Sequence, residues 1–186
     1  MDLQLTGRTV TLVGVDTDLH SACATVLKAE GANVIGAADG LAPADIVIAS
    51  SAGHPAVDLL DCDSAEVLHA AWDAVVRAIE HYRLALPGMV ERGWGRFVWI
   101  GSAAARSLDA DDDELDAIVS LAMMAAHKVV AAEAGPAQVT ANAVLHGGAA
   151  TDDDVAHAVA FLCSQGAGYL TGVTLTVDGG VGSAMF

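Results

Sequence analysis

The sequence predicts a single-domain α/β protein with a Rossmann-like, doubly wound parallel sheet of about six strands. Short apolar runs rich in β-branched residues alternate with longer segments of helical periodicity along the 186 residues. The first unit, residues 7–37, contains a complete strand, helix and strand. No linker, repeat or low-complexity tract interrupts this alternation, so we expect one domain over residues 1–186.

The first unit begins with residues 10–13, a short run typical of a strand buried on both faces. A helix with apolar residues at helical spacing follows and ends at Gly31. Residues 33–35 then form a second strand. This order of elements is the start of a doubly wound fold.

The turn after the first strand is where dinucleotide-binding folds hold a pyrophosphate, because glycines let backbone N–H groups approach the phosphates. Here Gly14 is followed by two carboxylates, Asp16 and Asp18. Their repulsion of a doubly anionic ligand costs ~1 kcal/mol or more. Since Thr17 and Asp18 are also good helix N-caps, the turn favours a capped helix over a phosphate site.

Residues 45–49 form a third buried strand, and only the loop of residues 39–44 precedes it. A right-handed parallel crossover needs roughly a dozen residues. We therefore place the third strand on the other flank of the first strand.

Two long helices and three further strands follow. Asp63 and Glu66 resemble a capping box, and we expect the helix behind them to end before Pro87. Its predicted apolar face is formed by Leu68, Trp72, Val75, Val76 and Ile79. Strands are expected at residues 97–100, 139–145 and 173–177, and acidic residues 152–154 are expected to cap a last helix.

The second long helix, which begins at Ala117 and ends at Val130, is nearly apolar on all sides. More than its own sheet must therefore cover it. The small residues Ala122, Ala125 and Ala126 would let another helix approach closely. This helix is a predicted oligomer interface.

Acidic residues outnumber basic residues 24 to 8, which gives a formal charge of −16 and argues against nucleic acid or an anionic membrane as partner. The acidic run at residues 109–116 is interpreted as a solvated loop and helix start rather than a metal site. Cys23, Cys62 and Cys163 are widely spaced, which fits a reducing compartment. The sequence has no N-terminal targeting pattern and no long apolar span, so we expect a cytoplasmic protein.

Five blocks of sequence, in order along the chain, resemble the short-chain dehydrogenase/reductase family. The resemblance covers nearly the whole chain, and the last two blocks are the most specific. The blocks are LTGRTVTLVG, DIVIASSAG, LALPGMVERGWGRFVWIGSAAAR, EAGPAQVTANAVLHGG and VAFLCSQGAGYLTGVTLTVDGG. The resemblance implies the fold described above and hydride transfer with a nicotinamide cofactor.

Most functional positions of the family are altered in this chain. Of the glycine-rich turn only Gly14 remains, with Asp18 and His20 at the later glycine positions, and Ser102 matches the catalytic serine. Two family segments are also shortened. The helix and strand that help hold the adenosine half of the cofactor are reduced to residues 39–44, and the substrate lid to residues 146–151.

The catalytic tyrosine of the family falls on Asp116, its lysine on Ser120, and its helix asparagine near Ala74. An ionised Asp is a poor acid at neutral pH because its unperturbed pKa is near ~4. Ser120 has no charge with which to lower the pKa of a neighbouring group or to hold a ribose. We therefore expect no intact catalytic set and no NAD or NADP bound by this chain.

The surfaces through which family members form dimers and tetramers are retained. They correspond to the helix from Ala117 to Val130 and to the C-terminal segment of residues 172–186. We therefore expect a non-catalytic (pseudoenzyme) subunit that pairs with an active, full-length dehydrogenase homologue and supports its assembly or activity. In that complex the partner would bind NAD or NADP; otherwise the chain would form a homodimer or homotetramer through the same surfaces.

Two alternatives stay open. An enzyme of this fold could have residual oxidoreductase activity, or lyase or hydrolase activity around Ser102, His146 and Asp116. A homo-oligomer could instead bind a small ligand in the vestigial cleft. His20, His54 and His146 could lie at the same strand ends but lack metal-ligand spacing, so no metal site is expected. The remaining histidines, expected at the surface or satisfied in the core and without a partner pattern, are His69, His81, His127 and His157.

Overall fold

The computed structural model describes residues 2–14, 17–36, 44–50, 65–107 and 114–182. In chain order the elements are β1 (Thr9–Val13), α1 (Asp18–Ala29), β2 (Asn33–Ile35), β3 (Ile46–Ser50), α2 (Ala65–Arg92), β4 (Gly95–Ser102), α3 (Glu114–Ala134), β5 (Val139–His146), α4 (Asp152–Cys163) and β6 (Thr174–Val177). All six strands pair in parallel in the order β2-β1-β3-β4-β5-β6. The predicted Rossmann-like sheet of about six strands is confirmed.

Strand β3 lies on the opposite flank of β1 from β2, as the short loop before it predicted. Val10 of β1 pairs with Val34 of β2 on one side and with Ile46 of β3 on the other. The order of strands therefore reverses between β1 and β3. The carboxyl ends of these two strands form the topological switch point, which is where open α/β sheets bind their ligands.

Helices cover both faces of the sheet, and β4 shows this residue by residue. Phe97 and Trp99 belong to the core that α2 and α3 cover, whereas Val98 and Ile100 belong to the core that α1 and α4 cover. All four side chains are almost completely buried. A strand buried on both faces is apolar at successive positions, which is the pattern that predicted it.

Helix α2 continues through Pro87 to Arg92, so the prediction that it ends before Pro87 is wrong. A proline inside a helix removes the hydrogen bond to the carbonyl oxygen four residues earlier, here that of Arg83. Pro87 and Arg83 both lie on the exposed side of the helix, where water can hydrate that carbonyl. On the opposite side Tyr82 and Met89 are buried and hold the helix against the sheet.

The predicted apolar face of α2 is divided between two sides of the helix. Val75 is buried and Leu68 packs against the core, but Trp72, Val76 and Ile79 are about half exposed. Alanines form most of the buried side, because small side chains let the helix lie close to its neighbours. These buried alanines are Ala71, Ala74, Ala78 and Ala85.

The helix caps differ in part from the prediction. Thr151, rather than the acidic residues 152–154, is the N-cap of α4: its hydroxyl accepts the N–H of Asp154, and the Asp154 carboxylate accepts the N–H of Thr151 at 2.9 Å. Donation from the Thr151 hydroxyl to the Asp154 carboxylate at 2.6 Å, together with that from the Thr151 N–H, lowers the pKa of Asp154. The predicted cap residue Asp63 of α2 lies outside the described residues.

Helix α3 is longer than predicted at both ends and buries one side only. Val119 and Met123 are fully buried against the sheet, whereas Leu121 and Val129 are half or more exposed. Within the described part of the chain, α3 alone is long and apolar enough to cross a membrane by length and composition, a test that core helices of soluble proteins also pass. Its packing against β4 and β5 is that of a core helix.

A buried side chain adds to the strand pairing that holds the C-terminal part of the chain to β5. The amide of Asn142 donates to the carbonyl oxygen of Leu170 at 2.8 Å, and its oxygen accepts the N–H of Val173 at 3.1 Å.

Cys23 and Cys163 are buried thiols in the core between α1, α4 and the sheet. Burial raises the pKa of Cys23 to about 12, so this thiol stays protonated and unreactive. Cys62 lies outside the described residues.

Candidate functional site

The candidate site is the carboxyl edge of the sheet, where the retained and altered family positions meet. Gly14 follows β1, Ser50 ends β3, Ser102 ends β4 and His146 ends β5. Because all strands are parallel, these four ends lie along the same edge. The site has two parts: the crevice between β1 and β3, and the ends of β4 and β5.

The turn at the crevice contains the predicted helix cap. Thr17 is the N-cap of α1, and its hydroxyl accepts the N–H of His20 at 3.2 Å. Asp18 is exposed in the first turn of the helix, where the helix dipole favours a carboxylate. Asp16 lies outside the described residues.

His20 turns back from α1 into the crevice. Its ring is buried, and Nε2 lies 3.0 Å from the Oγ of Ser50. A hydrogen bond between these side chains therefore links the helix after β1 to the end of β3. The sequence placed His20 at a former glycine position but gave no sign of its partner, because Ser50 stands 30 residues away at the end of β3.

Gly14 provides the space for this pair. A Cβ atom at Gly14 would lie 3.1 Å from the Oγ of Ser50 and 3.2 Å from the Cε1 of His20, closer than ordinary van der Waals contact. The backbone of Gly14 also has φ of +132°, a conformation that favours glycine. A glycine is therefore required here by the packing of the protein's own side chains.

Ser102, at the catalytic serine position, serves as a cap. Its Oγ accepts the N–H of Ala104 and begins a short 3₁₀ turn. Its own N–H donates to the Oγ of Ser120 at 3.0 Å. Ser120, which was predicted to replace the family's lysine, is fully buried and joins α3 to the end of β4.

His146 is the register partner of Ser102 across β4 and β5. The two residues are therefore neighbours at the edge, but no hydrogen bond joins Ser102 Oγ to the His146 ring. Asp116 is half-buried in the first turn of α3, one helical turn before Ser120. Ala74, near the asparagine position, is buried in α2 and offers no polar atom. The structure thus places Ser102 and His146 next to each other at the ends of β4 and β5.

Arg106 is a cation at the edge of the site that the sequence analysis did not predict. Arg106, just beyond the 3₁₀ turn, donates to the Oγ of Thr176 in β6 at 3.4 Å. The Asp178 carboxylate accepts the N–H groups of Gly180 and Gly182 at 2.8 and 2.9 Å, and these bonds, with a smaller attraction to Arg106, hold its pKa below the usual range. These groups stabilise the C-terminal turn next to the edge.

No group of three or more His, Cys, Asp or Glu residues that could hold a metal occurs in the described ranges. His54 and residues 109–113 of the acidic run lie outside them. Most of the other histidines have partners: Nδ1 of His81 and of His157 lies within 2.7 Å of a backbone carbonyl oxygen. His127 has a partner that the sequence did not indicate, because its ring is buried against Tyr82.

Comparison with known proteins gives a consistent set of relatives. Residues 145–182 match a family model described as enoyl-(acyl carrier protein) reductase. The chain is 30% identical over 195 aligned positions to nodulation protein G of Azospirillum brasilense, an alignment that covers 89% of this chain and 74% of the relative.

Two solved structures have the same fold. One, a short-chain dehydrogenase/reductase family protein, has a TM-score of 0.85 at 25% identity and covers 97% of this chain and 98% of its own. The other, the L-sorbose reductase of Gluconobacter frateurii complexed with NADPH and L-sorbose, has a TM-score of 0.82 at 18% identity, with the same coverage of both chains.

Proposed function

The chain belongs to the short-chain dehydrogenase/reductase family, and from that premise we propose that it is a non-catalytic subunit. It pairs with an active, full-length homologue and supports the assembly or activity of that homologue. The family consists of oxidoreductases, and the relatives named above include reductases. The proposal therefore concerns what this particular chain contributes to such an enzyme.

The observation that carries the proposal is the hydrogen bond from the Ser102 N–H to the buried hydroxyl of Ser120. Ser120 stands where the family has its catalytic lysine, and here the position fastens a helix to the sheet. A fully buried serine supplies no charge for a proton relay or a ribose. Ser102 itself caps a 3₁₀ turn. Ser102 and Ser120 therefore have structural roles at positions where the family has catalytic residues.

The proposed partner surface is the exposed face of α2 and α3. Eight large apolar side chains on these helices are between about a third and more than half exposed, and all of them except Leu84 define this surface. Monomeric proteins rarely leave large contiguous apolar patches in water, and such patches mark protein contacts. We call this surface the α2/α3 face; its residues are Trp72, Val76, Ile79, Val90, Ile118, Leu121 and Val129.

The C-terminal segment offers a second surface for assembly. Val181 is strongly exposed there and Leu175 of β6 is partly exposed, and Tyr169, just before the segment, is fully exposed. The partner proposed for either surface is a dehydrogenase homologue that keeps its tyrosine and lysine; a second copy of this chain would give a homodimer or homotetramer. We further propose a cytoplasmic location and NAD or NADP bound by the partner alone.

The proposal is tested by comparing the partner enzyme alone with the complex. We expect the purified chain to show no dehydrogenase activity, and the partner to lose stability or turnover when this chain is withheld. Equal activity and equal thermal stability of the partner with and without the chain would contradict the proposal.

A second candidate is a different activity, such as a lyase or hydrolase reaction around Ser102, His146 and Asp116. The observation in its favour is the register pairing of Ser102 with His146. Ser102→Ala distinguishes the two candidates: it would abolish an activity that depends on the hydroxyl, but a non-catalytic subunit with this change would still support its partner fully.

A further inference from the structure

We propose that the His20 side chain fills the nucleotide crevice of this chain, so that the protein's own imidazole replaces the dinucleotide. This inference rests on the proposed function, since it explains why the subunit takes no NAD or NADP of its own. It concerns the β1/β3 switch point and not the ends of β4 and β5.

The His20 ring lies at the switch point between β1 and β3. Open α/β sheets bind dinucleotides in the crevice at the switch point, with the pyrophosphate beside the turn after the first strand. In this chain that crevice lies between β1 and β3. His20 is only 4% exposed, and its ring lies between the backbone of Gly14 and the hydroxyl of Ser50.

Gly14 makes room for two side chains of the protein itself. In a dinucleotide site the turn glycines let the backbone come close to the phosphates. At Gly14 the atoms that come close are Ser50 Oγ and His20 Cε1, at 3.1 and 3.2 Å from the Cβ position. The retained glycine therefore accommodates the histidine and the serine.

The N-terminus of α1 is poorly suited to hold an anion. A helix N-terminus binds phosphate through N–H groups that lack partners. In the first turn of α1 the N–H of His20 is already taken up by the protein, since it donates to Thr17 Oγ1 at 3.2 Å. Asp18 adds a carboxylate in the same turn. The described residues of the crevice therefore do not fit a dinucleotide.

The test compares the full chain with a variant in which both later glycines are restored, Asp18→Gly with His20→Gly. Each protein is titrated with NADH and with NADPH, and binding is followed by nucleotide fluorescence. We expect no saturable binding by the unaltered chain and saturable binding by the double variant with a dissociation constant at least about tenfold below the highest nucleotide concentration at which the unaltered chain is tested, since a carboxylate and a buried ring are removed. Saturable binding by the unaltered chain, or equal affinity of the two proteins, would overturn the inference.

Imidazole provides a second readout that does not need nucleotide. His20→Ala leaves a cavity of the shape of the ring, so added imidazole should raise its melting temperature more than that of the unaltered chain. The matched control is His157→Ala, an exposed histidine on α4, which should show no such rescue. Rescue of neither variant, or of both equally, would count against a ring-filled crevice.

Ser50→Ala covers the case in which the His20 variants fail to fold. It keeps the ring and removes its hydroxyl partner, so we expect a lower melting temperature, whereas an unchanged melting temperature would contradict the pairing. A failure of the proposed function can be distinguished from a failure of this inference. The first would appear as the absence of a partner and would not change the nucleotide titrations or the melting temperatures.

Discussion

The hydroxyl of Tyr82 on α2 lies 3.2 Å from Nε2 of His127 on α3, inside the core beneath the α2/α3 face. Nδ1 of His127 lies 2.7 Å from the carbonyl oxygen of Met123 and therefore carries the ring proton, so Nε2 accepts from Tyr82. The Tyr82 ring also packs on Phe97, with ring centroids 4.4 Å apart. This pair fixes the two helices that present the proposed partner surface.

Removing the hydroxyl should destabilise the chain. Tyr82→Phe leaves Nε2 of His127 buried without a donor, and we expect a loss of ~1–3 kcal/mol in the free energy of unfolding. Urea denaturation measures it, with Tyr169→Phe as control because Tyr169 is fully exposed. Equal stability of the two variants would show that the pair contributes nothing.

The same pair predicts how stability depends on pH. Burial lowers the pKa of His127 to about 4 from 6.5. Between these values the unfolded chain binds a proton that the folded chain does not, so stability is complete above pH 6.5 and falls as the pH drops towards 4. The full loss is ~3 kcal/mol by linkage, and urea titrations across this window measure it.

His127→Gln is the control for the pH dependence, because it removes the titrating ring and should flatten the slope in that window. Asp154 and Asp178 act elsewhere: their pKa values are lowered from 3.8, so their contributions are lost only at still lower pH. An equally steep slope between pH 6.5 and 4 in His127→Gln would exclude His127 as the cause.

A charge on the α2/α3 face should abolish assembly without unfolding the chain. Val76 and Leu121 are each 50% exposed, so Val76→Asp or Leu121→Asp should leave the melting temperature of the isolated chain within a few degrees. Size-exclusion chromatography with light scattering should then show the isolated subunit only. Thr25→Asp, on α1 across the sheet, is the control and should leave the assembly intact.

Restoring the family's lysine should harm the protein. Ser120 is fully buried, and its Oγ accepts the N–H of Ser102. Ser120→Lys therefore buries a charge without a partner, and we expect a loss of ~3–5 kcal/mol. Leu121→Lys, one residue on at an exposed position, should cost far less. If Ser120→Lys is as stable as the original chain, the site can still accommodate a lysine side chain. The structural role assigned to Ser120 would then be refuted.

The sheet could be predicted from the sequence because its strands are continuous apolar runs and because loop length limits topology. The loop before β3 is too short for a crossover, and this alone placed β3 beside β1. The end of α2 could not be predicted in the same way. A proline inside a helix removes a hydrogen bond and strains the preceding turn, and α2 continues through Pro87 because Tyr82 and Met89 pack it against the sheet on the opposite side.

The candidate site was predictable in its positions and not in its contacts. Comparison with the family located Gly14, His20, Ser102 and Ser120, since these need only a residue count. The bonds that give them structural roles join residues far apart in the chain, such as His20 with Ser50. No periodicity encodes such pairs, and the same is true of Tyr82 with His127.

The most direct test of the central claim is the composition of the complex that this chain forms in its own cells. The tagged chain would be recovered under gentle conditions, and its bound proteins identified and counted by native mass spectrometry. We predict a dehydrogenase homologue with its tyrosine and lysine intact, in a fixed ratio to this chain, and its loss from Val76→Asp. A complex that contains only copies of this chain would contradict the account.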